Sequence, residues 1–397
     1  MNTASRQLRL LLIAMLLIFG LIAAACGDDD GDAEPAASDD AASEEEAAPE
    51  EEEAAPEEEE AAPEEEEAAP EEEAEAGGSD MAAVAAGGIP EGGTEVAIEG
   101  DLSVWDGLSV GLANLAPVPG AERWSRPLQA CLEENGATVD FQDVGGDPTR
   151  LTALLEGWAN AEVDAVFNIG IDMSGQESLI SAFTDAGTPF VIWGAGNPEG
   201  VVALDANQEV DGQIIGDYVA QQIGGAGTVI MVNANNPALQ SREAGVQAVF
   251  AEYPDIELVV VGDALGFTVE AAQTAVESAL QANPDAVAVI GGFGSLGVGA
   301  ANAVAAAGSD AIVVSMNGDP EEYDAIRSGG PFVATVADGH EFGGQAACEI
   351  AASMIAGGEA PGTPGQPIFA TSVLVTADNL PAEGEIEPTP RAFYQIG

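Results

Sequence analysis

Short apolar segments alternate with longer amphipathic segments from residue 108 to residue 356, and this pattern constrains the fold more than any other feature. The short segments are rich in β-branched residues, as buried strands are, and the longer ones have helical periodicity. Such alternation predicts parallel sheets covered by helices on both faces. About ten strands are too many for one ordinary sheet, so the sequence predicts an α/β fold with two lobes.

The chain is strongly acidic. Its 397 residues include 70 Asp and Glu but only 8 Lys and Arg, which gives a net charge of −62. Such a field repels phosphate backbones, which excludes nucleic acid as a partner. Residues 27–80 hold 27 of the acidic groups and no basic one. The sequence therefore separates an acidic segment from a globular part that can bury a core.

The N-terminus has the pattern of an export signal. A short basic start precedes an apolar run over 10–25, which is shorter than the roughly 20 residues of a membrane-spanning helix. The sequence IAAAC at 22–26 resembles a bacterial lipobox, which implies cleavage after residue 25 and a lipid on Cys26. We therefore expect 1–25 to be a lipoprotein signal peptide and the protein to be extracytoplasmic and anchored to the cell membrane. A plain signal peptide and a retained membrane helix are the alternatives.

An acidic linker is predicted over 26–106. The heptad AAPEEEE recurs there, but a proline in every copy breaks helices and rules out a coiled coil. Runs of glutamate repel one another and extend the chain, which suits a spacer. A low-complexity insert without selected length is the alternative.

Two further cysteines, Cys131 and Cys348, lie in the globular part. Export permits a disulfide, but a pair of buried free thiols is equally compatible with their spacing. With a single histidine in the chain, these cysteines do not make a zinc site, and we expect no metal.

Loops that follow the predicted strands are rich in amides, with occasional aromatic residues. In parallel sheets such loops meet at one edge, where ligands bind. Amides both donate and accept hydrogen bonds, and aromatic faces cover apolar ring surfaces. This mixture suits a neutral polyhydroxy ligand, although any single Asn could instead be a turn or cap residue.

Residues 292–297 fit the pattern G-x-G-x-x-G between a strand and a helix, the context of a dinucleotide site. The acidic residue expected about 20 positions later has no clean counterpart. A glycine-rich turn explains the motif better, so we expect no cofactor. No catalytic residue is predicted, since no Ser or Cys nucleophile neighbours His340.

Several short motifs occur in the order and spacing of a known family. Residues 107–375 resemble the periplasmic sugar-binding proteins of the ribose-binding type, which serve ABC importers. The resemblance rests on Pro119, Asp147-Pro148, Gly216-Asp217-Tyr218, Arg242 with Gly245, the segment 283–289, Asn317-Gly318 and the segment 334–337.

This resemblance implies two Rossmann-like lobes joined by three crossings. Lobe one would comprise 107–205 and 339–370, and lobe two 206–338 and 371–397. It also implies that Cys131 and Cys348 both lie in lobe one, on its first and last helices.

The resemblance further implies a ligand set at the cleft. Asn114 and Phe267 match family positions, whereas other positions carry different residues, among them Gly194-Ala195 in place of an Asp-Arg pair. Hydrogen bonds to a sugar or polyol are expected from polar residues and coverage from apolar ones: Asn114, Gln240, Asn317 and Asp338, with Phe267, Phe293, Trp193 and Met316.

The implied function is capture of a small neutral ligand by a monomeric receptor, whose closed form a membrane permease recognises. Two alternatives remain. One is an exported NAD-type oxidoreductase that uses the turn 292–297, and the other is a ligand-sensing module of a signalling receptor.

Overall fold

A computed structural model describes residues 78–173, 175–262, 266, 268–384 and 391–397. The predicted signal peptide, Cys26 and most of the acidic linker lie outside these residues, as does Phe267. Within the described ranges, no helix combines the length and apolar character needed to cross a bilayer.

An eight-stranded sheet organises the first lobe. Its order is β1-β14-β12-β6-β5-β4-β2-β3, and the six strands from β12 to β3 run parallel, whereas β14 and β1 are antiparallel additions. The strands are β1 Gly93–Glu95, β2 Ser109–Asn114, β3 Thr138–Asp143, β4 Ala165–Ile169, β5 Phe190–Trp193, β6 Val202–Ala206, β12 Ile368–Ala370 and β14 Phe393–Ile396.

A six-stranded sheet organises the second lobe. Its order is β13-β11-β10-β9-β7-β8, and only β13 is antiparallel to its neighbour. The strands are β7 Ala226–Val232, β8 Asp255–Val261, β9 Ala288–Gly291, β10 Ile312–Asn317, β11 Phe332–Ala337 and β13 Val373–Thr376.

Helices cover both faces of each sheet, and the central strands are buried on both sides, as the alternation predicts. In chain order they are α1 Gly78–Ala85, α2 Pro119–Glu134, α3 Pro148–Ala161, α4 Glu177–Asp185, α5 Gln208–Gln222, α6 Pro237–Phe250, α7 Val269–Ala282, α8 Gly294–Ala307, α9 Pro320–Arg327 and α10 His340–Ile355. A 3-10 turn spans Leu102–Trp105.

Local capping fixes where several of these helices begin. The Asp147 carboxylate accepts the Thr149 N–H at 2.9 Å, and Pro148 occupies the first helical position of α3. Asn236 and Pro237 form the same arrangement at α6, where Asn236 Oδ1 accepts the Ala238 N–H at 2.9 Å. Each side chain satisfies a backbone donor that the helix leaves unpaired, so these starts are encoded locally.

The chain passes between the two sheets after β6, after β11 and again between β12 and β13. It passes once more between Thr376 and Phe393, because β13 pairs with β11 whereas β14 pairs with β12. The assignment of 371–397 to the second lobe is therefore wrong for the last strand. A four-residue strand carries too short a hydrophobic pattern to indicate which sheet it joins.

The expected linker 26–106 also extends too far. Residues 78–106 include α1, which packs on α5, and β1, which pairs with β14. Trp105 is fully buried in the first-lobe core. The glycine-rich sequence of this segment gives no clear helix or strand pattern, because short elements that tertiary contacts stabilise need little intrinsic propensity of their own.

Cys131 and Cys348 form a disulfide, with their Cα atoms 6.4 Å apart. The bond joins α2 to α10, which pack against each other on the first lobe. It therefore links two helices whose N-terminal turns both reach the boundary between the lobes.

Candidate functional site

A buried group of charged and polar side chains lies where the two lobes meet, and we call it the interlobe cluster. Its members come from α2, α5, α6 and α10 and from the ends of β10 and β11: Arg123, Asp211, Arg242, Asn317, Asp319, Asp338, His340 and Glu341. The carboxyl ends of parallel strands supply its centre, as expected for a ligand-binding edge.

Arg242 on α6 is the hub of the second-lobe side, and its side chain is 4% exposed. Its Nη1 donates to the Asn317 Oδ1 at 2.8 Å and to the Gly292 carbonyl at 2.9 Å. Its Nη2 donates to Asp338 at 3.2 Å, and its Nε donates to Gln208 at 2.7 Å. The Arg242 guanidinium thus connects the crossing after β6, at Gln208, with the crossing after β11, at Asp338.

Arg123 on α2 reaches from the first lobe to the second. Its Nη1 donates to the Asn317 carbonyl at 2.9 Å and to Asp319 Oδ1 at 3.1 Å. Its Nε and Nη2 donate to the two oxygens of Glu341 at 2.5 and 2.7 Å. Glu341 therefore orients the guanidinium within the first lobe, and Asn317 and Asp319 receive it in the second.

Asn317 adopts a backbone conformation that residues other than glycine rarely take, with φ of 143°. Its Oδ1 accepts from Arg242, its Nδ2 donates to Asp319 at 3.3 Å, and its carbonyl accepts from Arg123. Such a backbone costs about 1–3 kcal/mol, which these hydrogen bonds offset. The strain marks Asn317 as a position that the cluster holds in place.

His340 and Asp338 form a hydrogen-bonded pair through His340 Nδ1. Burial alone would lower the pKa of His340, but the charge and hydrogen bond of Asp338 outweigh it and raise that pKa. Burial acts to raise the pKa of Asp338, and the charges of His340 and Arg242 hold it below its usual value. Trp193 covers the imidazole, with the ring centres 5.3 Å apart.

Two buried carboxyl groups beside this pair are harder to ionise. Burial raises the pKa of Asp211 to about 7, although Arg242 opposes it, and the carboxyl accepts the Ser372 hydroxyl. Burial and the charge of Asp319 raise the pKa of Glu322 to about 8. Glu322 accepts the Thr335 hydroxyl at 2.7 Å and completes a capping box with Asp319 at α9.

These shifts predict that the protein loses stability as the pH rises from 6 to 8.5. A carboxyl whose pKa is higher in the folded state stabilises the fold while protonated, and this contribution disappears as the pH passes the folded pKa. Each such group lowers the free energy of unfolding by about 1.4 kcal/mol per pH unit until it ionises. Thermal unfolding across this range checks the trend. Glu322→Gln should flatten it, and a slope unchanged in this variant would contradict the assignment.

The structure gathers only part of the predicted ligand set. Asn317 and Asp338 belong to the interlobe cluster, and Trp193 packs on it. Asn114 is buried at the end of β2, where its Nδ2 donates to Asp143 at 2.6 Å and to the Ala116 carbonyl at 2.9 Å. Its Oδ1 has no hydrogen-bond partner among the described residues, which leaves an acceptor for a ligand.

Other predicted positions are placed elsewhere. Met316 is fully buried in the second-lobe core with Val314 and Val336, so it packs rather than presents a surface. Gln240 is exposed on α6 and donates to Asn235 at 3.0 Å, beside a surface cavity of about 380 Å³. Phe293 is partly buried against the core beneath α7 and α8, and Phe267 lies outside the described residues.

The glycines of 292–297 serve packing. A side chain at Gly292 would collide with Asn233, one at Gly294 with the Asp319 carboxylate, and one at Gly297 with Ser315. A pyrophosphate above this turn would face Asp319, whose charge repels it. The space that a dinucleotide site keeps open is filled by the protein's own side chains.

Over the ranges that the structure describes, no three His, Cys, Asp or Glu side chains are grouped so that they could hold a metal ion. The cluster offers hydrogen-bond donors and acceptors to a polar ligand, with an indole face beside them.

The sequence did not single out Arg123 or Arg242 as site residues. Both are almost completely buried, and Arg123 contacts both lobes. A signal was present: charged residues are rarely buried without a partner, and Arg242 lies three residues from Gly245, on the face that α6 turns toward α5. The partners could not be inferred, because they lie 34 to 218 residues away in the chain.

Comparisons with known proteins agree with this architecture. A family model described as a periplasmic binding protein domain matches residues 121–359. A ribose import binding protein of Bacillus subtilis is 26% identical over 228 residues, which cover 57% of this chain and 74% of that protein. A D-apiose import binding protein of Actinobacillus succinogenes is 27% identical over 212 residues, with coverages of 51% and 67%.

Solved structures share the fold. An ABC transporter solute-binding protein from Bacillus halodurans with bound myo-inositol superposes with a TM-score of 0.60 and 19% identity, covering 69% of this chain and 96% of that one. The two parallel-dominated sheets thus match the fold of type I periplasmic binding proteins. The matched proteins bind solutes for transporters and are not enzymes.

Proposed function

The chain belongs to the periplasmic binding protein domain family, and from this premise we propose that it captures a small neutral sugar or polyol for an ABC importer. The observation that carries the proposal is the polar cluster at the strand ends of two lobes, with an indole beside it. Relatives named for ribose and D-apiose support the ligand class.

Binding follows from the placement of the residues. The lobes close over the ligand, the free Oδ1 of Asn114 accepts a hydroxyl, and Asn317 and Asp338 exchange some of their present partners for ligand hydroxyls. Trp193 covers an apolar ring face, as aromatic side chains do for sugars. The sequence resemblance assigns Phe267 to the apolar side as well, whereas Gln240 and Phe293 lie away from the cluster. The protein performs no chemistry.

The finer assignments rest on the sequence. A lipid on Cys26 tethers the mature chain to the membrane that holds the permease, and the acidic linker acts as a spacer between this anchor and the lobes. We expect a monomer, because the two lobes complete the cluster within one chain.

The test uses full-length protein extracted from membranes. Its intact mass should equal that of the chain from Cys26 plus lipid.

A thermal-shift screen against sugars, polyols, amino acids and nucleosides tests the ligand class. We expect a sugar or polyol to raise the Tm, since a ligand at 100 times its Kd contributes about 2.7 kcal/mol to the free energy of unfolding. A shift with amino acids or nucleosides alone, or no shift at all, would contradict the ligand class.

A further inference from the structure

Arg123 joins the lobes through side-chain contacts that involve no ligand. Its guanidinium contacts Asn317 and Asp319 of the second lobe, while Glu341 holds its other edge in the first. The Arg123 side chain is 5% exposed and that of Asp319 is 6% exposed. The pair is therefore desolvated when the lobes are together and becomes accessible to water when they separate.

We propose that Arg123 is an interlobe latch, a positioning residue that sets how readily the cleft closes. Its effect on ligand affinity rests on the proposed function, whereas its effect on closure does not. Because the apparent Kd of a closing receptor depends on the fraction of closed molecules, a residue that stabilises closure tightens binding without touching the ligand.

The direction of the effect follows from the charges. On closure Asp319 leaves water, and Arg123 supplies its compensating charge at 3.1 Å. The carboxyl of Glu322 lies beside Asp319, where its Oε2 accepts the Asp319 N–H at 2.6 Å, and it supplies no compensating positive charge. Without Arg123, closure would bury the Asp319 carboxylate without its ion-pair partner, which is unfavourable.

The part of the first lobe that carries Arg123 is held rigid by a disulfide. Arg123 lies on α2 and Glu341 on α10, and the disulfide between Cys131 and Cys348 joins these helices. The guanidinium therefore moves with the first lobe as one body. Gly120, one turn earlier, allows the start of α2 to approach His340, since an added Cβ would lie 3.3 Å from its Nε2.

Hydrogen exchange of the full chain tests the latch without a ligand. In Arg123→Met, amides over 317–323 in the second lobe should exchange about tenfold faster than in the wild type, because this surface opens more often. Arg126→Met is the matched control, because it removes an arginine of the same helix whose side chain is 73% exposed and pairs with Glu122 at the surface. Its exchange should equal that of the wild type.

Exchange that accelerates only in α2 and α10 would overturn the proposal, since it would make Arg123 a support of the first lobe alone. Acceleration throughout the protein would do the same. Arg123→Lys, which keeps the charge but not the forked geometry, should lie between wild type and Arg123→Met. If the screen identifies a ligand, its Kd should rise about tenfold in Arg123→Met with Arg126→Met unchanged. An unchanged Kd would contradict the link to affinity and leave the ligand assignment intact.

Discussion

Arg242→Met should lower the free energy of unfolding by about 3–5 kcal/mol, the cost of removing one partner from a buried ion pair. The substitution removes one of the cations that face Asp338, which stays paired with His340, and takes the cation away from Asp211, which lies 4.0 Å from Arg242 Nη2. For a protein of this size we expect the Tm to fall by about 10 °C.

The control for this variant is Arg327→Met. Arg327 pairs with Asp324 on the surface of α9, where its side chain is 36% exposed, so its removal should cost less than about 1 kcal/mol. The deficit of Arg242→Met should also shrink as the pH is lowered from 8 to 5, because protonation neutralises Asp211, whose pKa burial raises to about 7. Equal losses in the two variants, or a deficit that does not change with pH, would refute the role of Arg242 as the hub.

Gly212→Ala is expected to destabilise the second lobe by about 1–3 kcal/mol or more, although it adds a single methyl group. A Cβ at Gly212 would overlap the backbone carbonyl of Arg242, and one at Gly245 would overlap the carbonyl of Glu209. The two glycines therefore permit the close crossing of α5 and α6. Separating these helices shifts Arg242 away from Gln208, which begins α5, so the interlobe cluster should loosen as well.

Gly157→Ala separates this effect from helix propensity. Gly157 lies within α3, and nothing is found within 4 Å of the position that its Cβ would take. Alanine there should stabilise the protein by roughly 0.5–1 kcal/mol, because glycine is a poor helix former. Chemical denaturation of both variants checks the opposite signs, and a stabilising Gly212→Ala would contradict the crossing geometry.

Two of the residues predicted from strand ends lie together in the interlobe cluster, and their role as ligand residues stays a prediction. Asn317 is the last residue of β10 and Asp338 directly follows β11, and parallel strands bring such positions to one edge of a sheet whatever the details of packing. Met316, by contrast, does not face the cluster. Neighbouring residues of a strand face opposite sides of the sheet, so the side chain before Asn317 points into the core.

The alternation of apolar and amphipathic segments determined the α/β fold and its two lobes, and capping residues such as Asp147 and Asn236 determined where helices begin. These features depend on periodicity and on hydrogen bonds within a few residues, which the sequence carries directly. Only the tertiary structure decided that Cys131 meets Cys348, that the last strand returns to the first sheet and that Arg123 faces Asp319. Their physical basis is compensation between groups distant in the chain: a buried charge needs a partner, and docking of the lobes decides which partner it finds.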